Sequence, residues 1–203
     1  MDRRHEGLVQ DVLSVYHDVD QAISRFQKDS GLHCPPGCGT CCSSVQVEAT
    51  VLECLPMGAE IWRQGREDLV AGHIDERQKQ GDLRCVLFRN TPANPDGGHC
   101  SLYPQRPLVC RMFGFASRRN KLNRREACLC IHLLQAGPGG YDIRDEAGRW
   151  TDRLPVYQDS FYRLGSMALE MGFHLYPINM AFRISLEFLY WKCPDRRRHD
   201  IAA

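Results

Sequence analysis

The chain reads as an α+β domain, mainly helical, with a small irregular β element and cysteine-rich loops organised around a metal centre. Three observations predict this. Apolar residues recur at three- and four-residue steps over long stretches near both ends. The middle instead carries short alternating runs punctuated by Gly, Pro, Asn and Asp. Most of the 11 cysteines of the 203-residue chain fall in that middle. Residues 1–203 are read as one cysteine-cluster metal-binding domain, with a core at about 30–130 and helical extensions at 6–29 and 155–192.

The first helix is expected over 6–29. Val9, Val12, Leu13, Tyr16, Val19, Ile23 and Phe26 form one stripe, while Asp11, Asp18, Asp20 and Lys28 take the other face. Gly31 ends it. A loop follows, stiffened by Pro35 and Pro36 and freed by Gly37 and Gly39. Val45–Glu48 alternates like a short strand. Thr50-Val-Leu-Glu53 matches a capping box and opens a helix over 51–64, and a second is expected over 66–79, ending near Gly81. Cys85–Phe88 and Cys100–Tyr103 read as strands on either side of a turn-rich loop, Asn90–Gly98. Leu108–Phe113 forms a helical turn after Pro107, and 136–152 an irregular connection. The last helices are expected at 156–172 and 177–191, with Pro177 at the favoured first position.

Composition narrows the function. With 43% hydrophobic residues the chain can bury a core without cross-links, so the cysteines need another purpose. Their odd number forbids complete intrachain pairing. Met1–Gly7 leads into an amphipathic stretch rather than an apolar leader, and no apolar run is long enough to span a membrane. A reducing, cytoplasmic setting is the expectation, and there thiols stay free for metal. Net charge is +1, unevenly divided: residues 1–100 carry a net −5 and residues 101–203 a net +6. The surplus lies at Arg118–Arg125 and Arg196–Arg198, read as solvated segments, the first also a surface for a protein or other anionic partner. Nucleic acid is not expected, because neither an aromatic platform nor a helix-turn-helix pattern accompanies the charge.

The chemistry concentrates in Cys34-Pro-Pro-Gly-Cys38-Gly-Thr-Cys41-Cys42, followed by Cys85, Cys100, Cys110, Cys128 and Cys130. Thiolates two or three residues apart in a Gly/Pro loop can converge on one ion, and zinc takes four such donors at about 2.3 Å. Adjacent side chains diverge, so Cys41 and Cys42 are expected to serve two metals, or a metal and the core. Iron–sulfur chemistry suits the same ligands. Cys34-x3-Cys38-x2-Cys41 also resembles the triplet of radical S-adenosylmethionine enzymes, but no repeating strand–helix units accompany it, and Thr40 stands where those enzymes tend to place an aromatic. Cys54 and Cys193, isolated on helical patterns, read as core residues. His33, His99 and His132 read as polar neighbours of cysteines. The role of Cys130 stays open.

Cys38-Gly39-Thr-Cys41-Cys42 and Cys100-Ser-Leu102-Tyr103-Pro-Gln-Arg106-Pro107-Leu-Val-Cys110-Arg111-Met-Phe113 together resemble the YkgJ-like cysteine-cluster family, CxxCxxCC, described as a zinc- or iron-chelating domain. The likeness spans about residues 30–130, and three residues separate Cys34 from Cys38 where the family has two between its cysteines. It implies zinc or iron and assigns no reaction, while the cysteine ligands themselves also suit a [4Fe-4S] cluster. The expected ligands are Cys38, Cys41, Cys42, Cys85, Cys100 and Cys110, then Cys34 and Cys128. Tyr103, Arg106 and Arg111 are expected around them, where guanidinium charge offsets that of the thiolates; the competing reading of each Arg is an ordinary salt bridge. A related cysteine arrangement in flagellin lysine methylases makes an iron–sulfur enzyme of redox or methyl-transfer type the alternative. A zinc-stabilised binding module is the third reading.

Overall fold

In the computed structural model, the N-terminal apolar stripe becomes one 28-residue helix, Arg3–Ser30 (α1). The structure describes residues 3–35, 37–91, 94–135 and 150–192. Val12, Val15, Tyr16, Val19, Ile23 and Phe26 are buried along one face of α1. Gly31 ends the helix in the left-handed region (φ 71°), its N–H donating to the Gln27 carbonyl at 2.9 Å.

A single turn, Thr40–Ser43 (α2), follows, and then a three-residue strand, Glu48–Thr50 (β1). Thr50 caps Val51–Arg63 (α3), its hydroxyl accepting the Glu53 N–H at 3.1 Å, and Glu67–Lys79 (α4) packs beside it. The hairpin Phe88–Thr91 (β2) and Asn94–Cys100 (β3) precedes a short helix, Leu108–Met112 (α5). A second hairpin pairs Phe115–Arg119 (β4) with Arg125–Leu129 (β5), and Ile131–Gln135 (α6) follows. Tyr157–Gly165 (α7), Leu169–Gly172 (α8), Leu175–Pro177 (β6) and Ile178–Lys192 (α9) complete the described chain.

The central element is α3. From Val51 to Gly58 every residue is buried, so the helix serves two apolar clusters at once. Leu52 and Leu55 join α1, Leu108, Met112 and Phe115 on one side. Met57 and Ile61 join Val70, Ile74, Leu87 and Phe182 on the other. Gly58 lets α9 approach closely; a Cβ there would stand 2.9 Å from Leu189 Cδ1. Each fully buried aliphatic or aromatic side chain of this kind contributes about 1.5–3 kcal/mol. Among the described residues no helix is long and apolar enough to cross a membrane.

Several expectations shift. The strand read at Val45–Glu48 forms three residues later, because β1 pairs antiparallel with β6, Glu48 opposite Pro177 and Thr50 opposite Leu175. Much of Asn90–Gly98 is strand rather than loop, since Gly98 can sit flat against the Phe88 ring, 2.3 Å from where its Cβ would be. Val86–Leu87 and Ser101–Leu102 become turns at the base of that hairpin, and Tyr103–Gln105 forms a single 3₁₀ turn. The helix expected over 156–172 breaks into α7 and α8, where Gly165 and Gly172 meet backbone to backbone. Pro177 ends β6 instead of entering α9. The readings made for Pro36, for 136–149, for Cys193 and for Arg196–Arg198 lie outside the described residues.

Candidate metal centre

Four separate segments deliver cysteines to one place. Gly37 (φ 68°) and Gly39 (φ 56°) turn the first loop, and the Gly39 carbonyl accepts the Cys42 and Ser43 N–H groups at 2.8 and 3.1 Å, starting α2. The loop is pressed onto the β2–β3 hairpin: the Gly98 N–H donates to the Gly37 carbonyl at 3.2 Å. That hairpin ends in Cys100. Cys85 lies in the turn before it, where the Asn179 side chain accepts from Val86 N at 2.8 Å and donates to the Arg84 carbonyl at 2.9 Å. Helix α5 supplies Cys110.

Cys34, Cys41, Cys42, Cys85, Cys100 and Cys110 line a single cavity of about 360 Å³. The exposed rings of Tyr103 and Phe113 also border it. Cys41 and Cys42 do not diverge: their sulfurs are 3.9 Å apart and both face the cavity. The reason is local. On a helical turn successive side chains differ by about 100°, not by the half-turn of extended chain, so neighbours can leave on one side.

Cys38 and Cys128 do not line that cavity, although Cys38 is near enough to Cys34 to raise its thiol. The Cys38 sulfur lies 3.3 Å from Thr40 Oγ1, which is itself 3.3 Å from His132 Nε2. Cys128 lines a second, mostly apolar cavity of about 630 Å³ with Cys130, Thr40 and Met112. Cys54 is fully buried in the core. His99 sits in β3 opposite Arg89.

The two arginines meet an acidic residue of α1 as well as the cavity. Arg111, with a side chain 2% exposed, pairs with Asp20 and donates to the Pro104 carbonyl. Its Nε donates to the Arg106 carbonyl at 2.9 Å, and its guanidinium lies 4.3 Å from the centre of the Tyr16 ring. Arg106 stands 3.7 Å from the other Asp20 oxygen and 3.8 Å over the Tyr103 ring. Both arginines line the cysteine cavity, so the salt-bridge and the cavity readings of these residues hold together. Asp20, read from sequence as part of a polar face, is the shared anchor. The signal was its place one turn after Tyr16.

Burial dominates the thiols. It pushes Cys85 up to about 11 and raises Cys100 and Cys110, whose charged forms also repel one another. Burial likewise lifts Cys34 to about 11, with Cys38 and Cys41 adding to it. Cys41 is the exception: the Cys42 thiol donates to its sulfur and holds it down at about 7, while the same contact drives Cys42 up. The Arg106 charge acts the other way from burial at Cys34, Cys41 and Cys100. A soft cation would reverse this balance, converting mutual repulsion of thiolates into ligation. The donor set therefore fits zinc or iron. Among the described residues no three His, Cys, Asp or Glu side chains stand in ready coordination geometry, so the fold gathers donors that an ion would draw closer.

The sequence profile of one family, CxxCxxCC, described as "Putative zinc- or iron-chelating domain", matches residues 33–129. Residues 33–129 belong to the CxxCxxCC family. The CxxCxxCC domain thus runs from the residue before Cys34 to the residue after Cys128, and holds every expected cysteine ligand. Cys130 and His132 fall beyond it, as do α1 and α7–α9. No curated protein and no solved structure matches the chain.

Two contributors to the CxxCxxCC domain escaped the sequence reading. Asn179, from outside the matched segment, pins the backbone on both sides of Cys85. Glu53, read only as a helix cap, is a fully buried carboxyl beside α5.

Proposed function

We propose that this chain holds a zinc or iron centre through the thiolates of Cys41, Cys42, Cys85, Cys100 and Cys110, with Cys34 at the cavity rim and Cys38 beside it. The observation that carries this reading is the convergence of six cysteines, drawn from four segments, on one 360 Å³ cavity. Six such sulfurs are far from what core packing alone requires. Arg106 and Arg111 offset the thiolate charge, and Asp20 holds both guanidinium groups in place. A structural zinc contributes on the order of 10 kcal/mol to folding, whereas an iron centre adds electron transfer.

Size favours a multinuclear centre as the second reading. A lone ion reaches its sulfurs at about 2.3 Å and fills little of such a cavity. Donors spread around a larger space, with no ready three-donor group among the described residues, suit an iron–sulfur cluster such as [4Fe-4S].

The test is metal and acid-labile sulfide content, with a visible spectrum, on full-length protein purified anaerobically without a histidine tag. Near-stoichiometric zinc, or iron with sulfide, supports the proposal and chooses between its two forms. Metal must also be lost in Cys41→Ser and Cys110→Ser. Metal-free wild-type protein from metal-replete cells would overturn it.

A further inference from the structure

Helix α5 carries Cys110 and Arg111 yet has only five residues, Leu108–Met112. A helix so short has no stability of its own, because nucleation costs more than one turn returns. Its first N–H groups have no partner within the helix, and no side chain of its own segment caps it, since Pro107 stands at the cap position. The position of the Cys110 sulfur is therefore set from outside.

Glu53 supplies that outside hold. It lies in the first turn of α3, and its side chain is fully buried. One carboxylate oxygen accepts the Val109 N–H at 3.3 Å, immediately before Cys110. The other accepts from the Thr50 hydroxyl at 3.4 Å. At its backbone, the Glu53 carbonyl accepts the Tyr16 hydroxyl at 2.7 Å, and the Tyr16 ring underlies the Arg111 guanidinium. Glu53 thus joins α1 and α3 to the start of α5. A surface cap would serve α3 equally well without burying a carboxyl, which is costly unless its partners repay it. Two helix N-termini converging on one carboxyl group offset part of that cost, each contributing donors and a favourable dipole.

We propose that Glu53 is a positioning residue of the metal centre, clamping the N-terminus of α5 so that Cys110 is presented to the metal. This rests on Cys110 being a ligand, as proposed above. The clamp acts on affinity for metal, beyond its part in folding. An isosteric Gln turns an N–H donor toward at least one of the donors that the carboxylate accepts, and Asp keeps the charge but falls one methylene short of Val109.

The experiment uses the metal-free full-length chain, titrated anaerobically with Co(II), with sulfur-to-cobalt charge transfer as the readout and zinc displacement for affinity. Glu53→Gln is compared with Leu189→Ala, a truncation in the apolar cluster of Leu52 and Leu55 at a residue that does not line the cysteine cavity. The expected result is a loss of about 10- to 100-fold in affinity for Glu53→Gln, the range seen for groups that orient metal ligands, with Leu189→Ala near wild type. Wild-type affinity in Glu53→Gln overturns the clamp, as do equal losses in both variants, which would make affinity a reflection of stability. Should Glu53→Gln not fold, Glu53→Asp replaces it: the same loss supports the clamp, and wild-type affinity overturns it. Cys110→Ser separates the premise from the inference. If that variant binds Co(II) with wild-type strength and spectrum, Cys110 is no ligand, and the reading on which the clamp rests fails.

Discussion

Gly39 lies against the backbone of Gly98, so close that a Cβ on Gly39 would stand 2.4 Å from the Gly98 carbonyl oxygen. This contact seats the first cysteine loop on the hairpin that ends in Cys100. Gly39 has no tolerable substitute there, since the obstacle is main chain and cannot rotate away, whereas a Cβ on Gly98 would meet the Phe88 ring at 2.3 Å and the Arg89 carbonyl at 2.6 Å.

Gly39→Ala is therefore expected to lose metal and stability together. The left-handed backbone at φ 56° alone costs about 1–2 kcal/mol for a residue with a Cβ, and the loop must also lift from the hairpin. Gly37→Ala is the matched control: its φ is 68°, but nothing lies within 4 Å of the added Cβ. Thermal unfolding should show a loss for both variants, whereas metal content should fall only for Gly39→Ala. Equal metal content in the two would deny the contact its role.

The vicinal pair gives a chemical prediction. With Cys41 held down at about 7 by the Cys42 thiol, it is the first cavity thiol to ionise in metal-free protein. Brief iodoacetamide treatment at pH 7.5, read by peptide mass spectrometry, should label Cys41 ahead of Cys85, Cys100 and Cys110. Cys42→Ala removes the donor and should move Cys41 labelling to higher pH. Metal should suppress it.

Glu53 makes stability depend on pH. Burial raises its carboxyl from the ordinary 4.5 to about 7, so between these values the folded chain keeps a proton that the unfolded chain has released. The unfolded state binds fewer protons there, and stability falls as pH rises through that window, levelling off above about 7. At about 1.4 kcal/mol per unit, the loss is about 3 kcal/mol. Urea unfolding of metal-free protein from pH 4.5 to 7.5 should show this slope, and Glu53→Gln should flatten it. Parallel profiles for the two proteins would contradict the assignment.

Asn179 extends the site beyond the matched segment. Its side chain satisfies Val86 N–H and the Arg84 carbonyl, the backbone groups flanking Cys85. Asn179→Ala leaves the Val86 N–H unpaired, at a cost of about 1–3 kcal/mol, and leaves the Arg84 carbonyl only the longer contact from the Arg77 guanidinium at 3.5 Å. Faster metal transfer to a chelator should accompany that loss. An unchanged transfer rate would confine Asn179 to the fold.

Local rules were enough for much of this molecule. The α1 stripe, the Thr50 cap and the Gly31 stop each depend on neighbours within a few residues, so periodicity and capping chemistry reveal them. The cysteine motifs likewise announce thiolate ligation, because soft donors at that density have few other uses. What those rules could not reach is anything decided between distant segments. Strand register at β1–β6 and β2–β3 follows from partners far along the chain, and so the strands were displaced by several residues. Only the tertiary structure shows that Cys41 and Cys42 share a side, that Cys128 faces a different cavity from Cys110, and that Asp20, Glu53 and Asn179 serve the cysteine segments. The physical reason is that a residue type specifies what a side chain can bond to, whereas burial and distance, which only packing sets, specify what it does bond to.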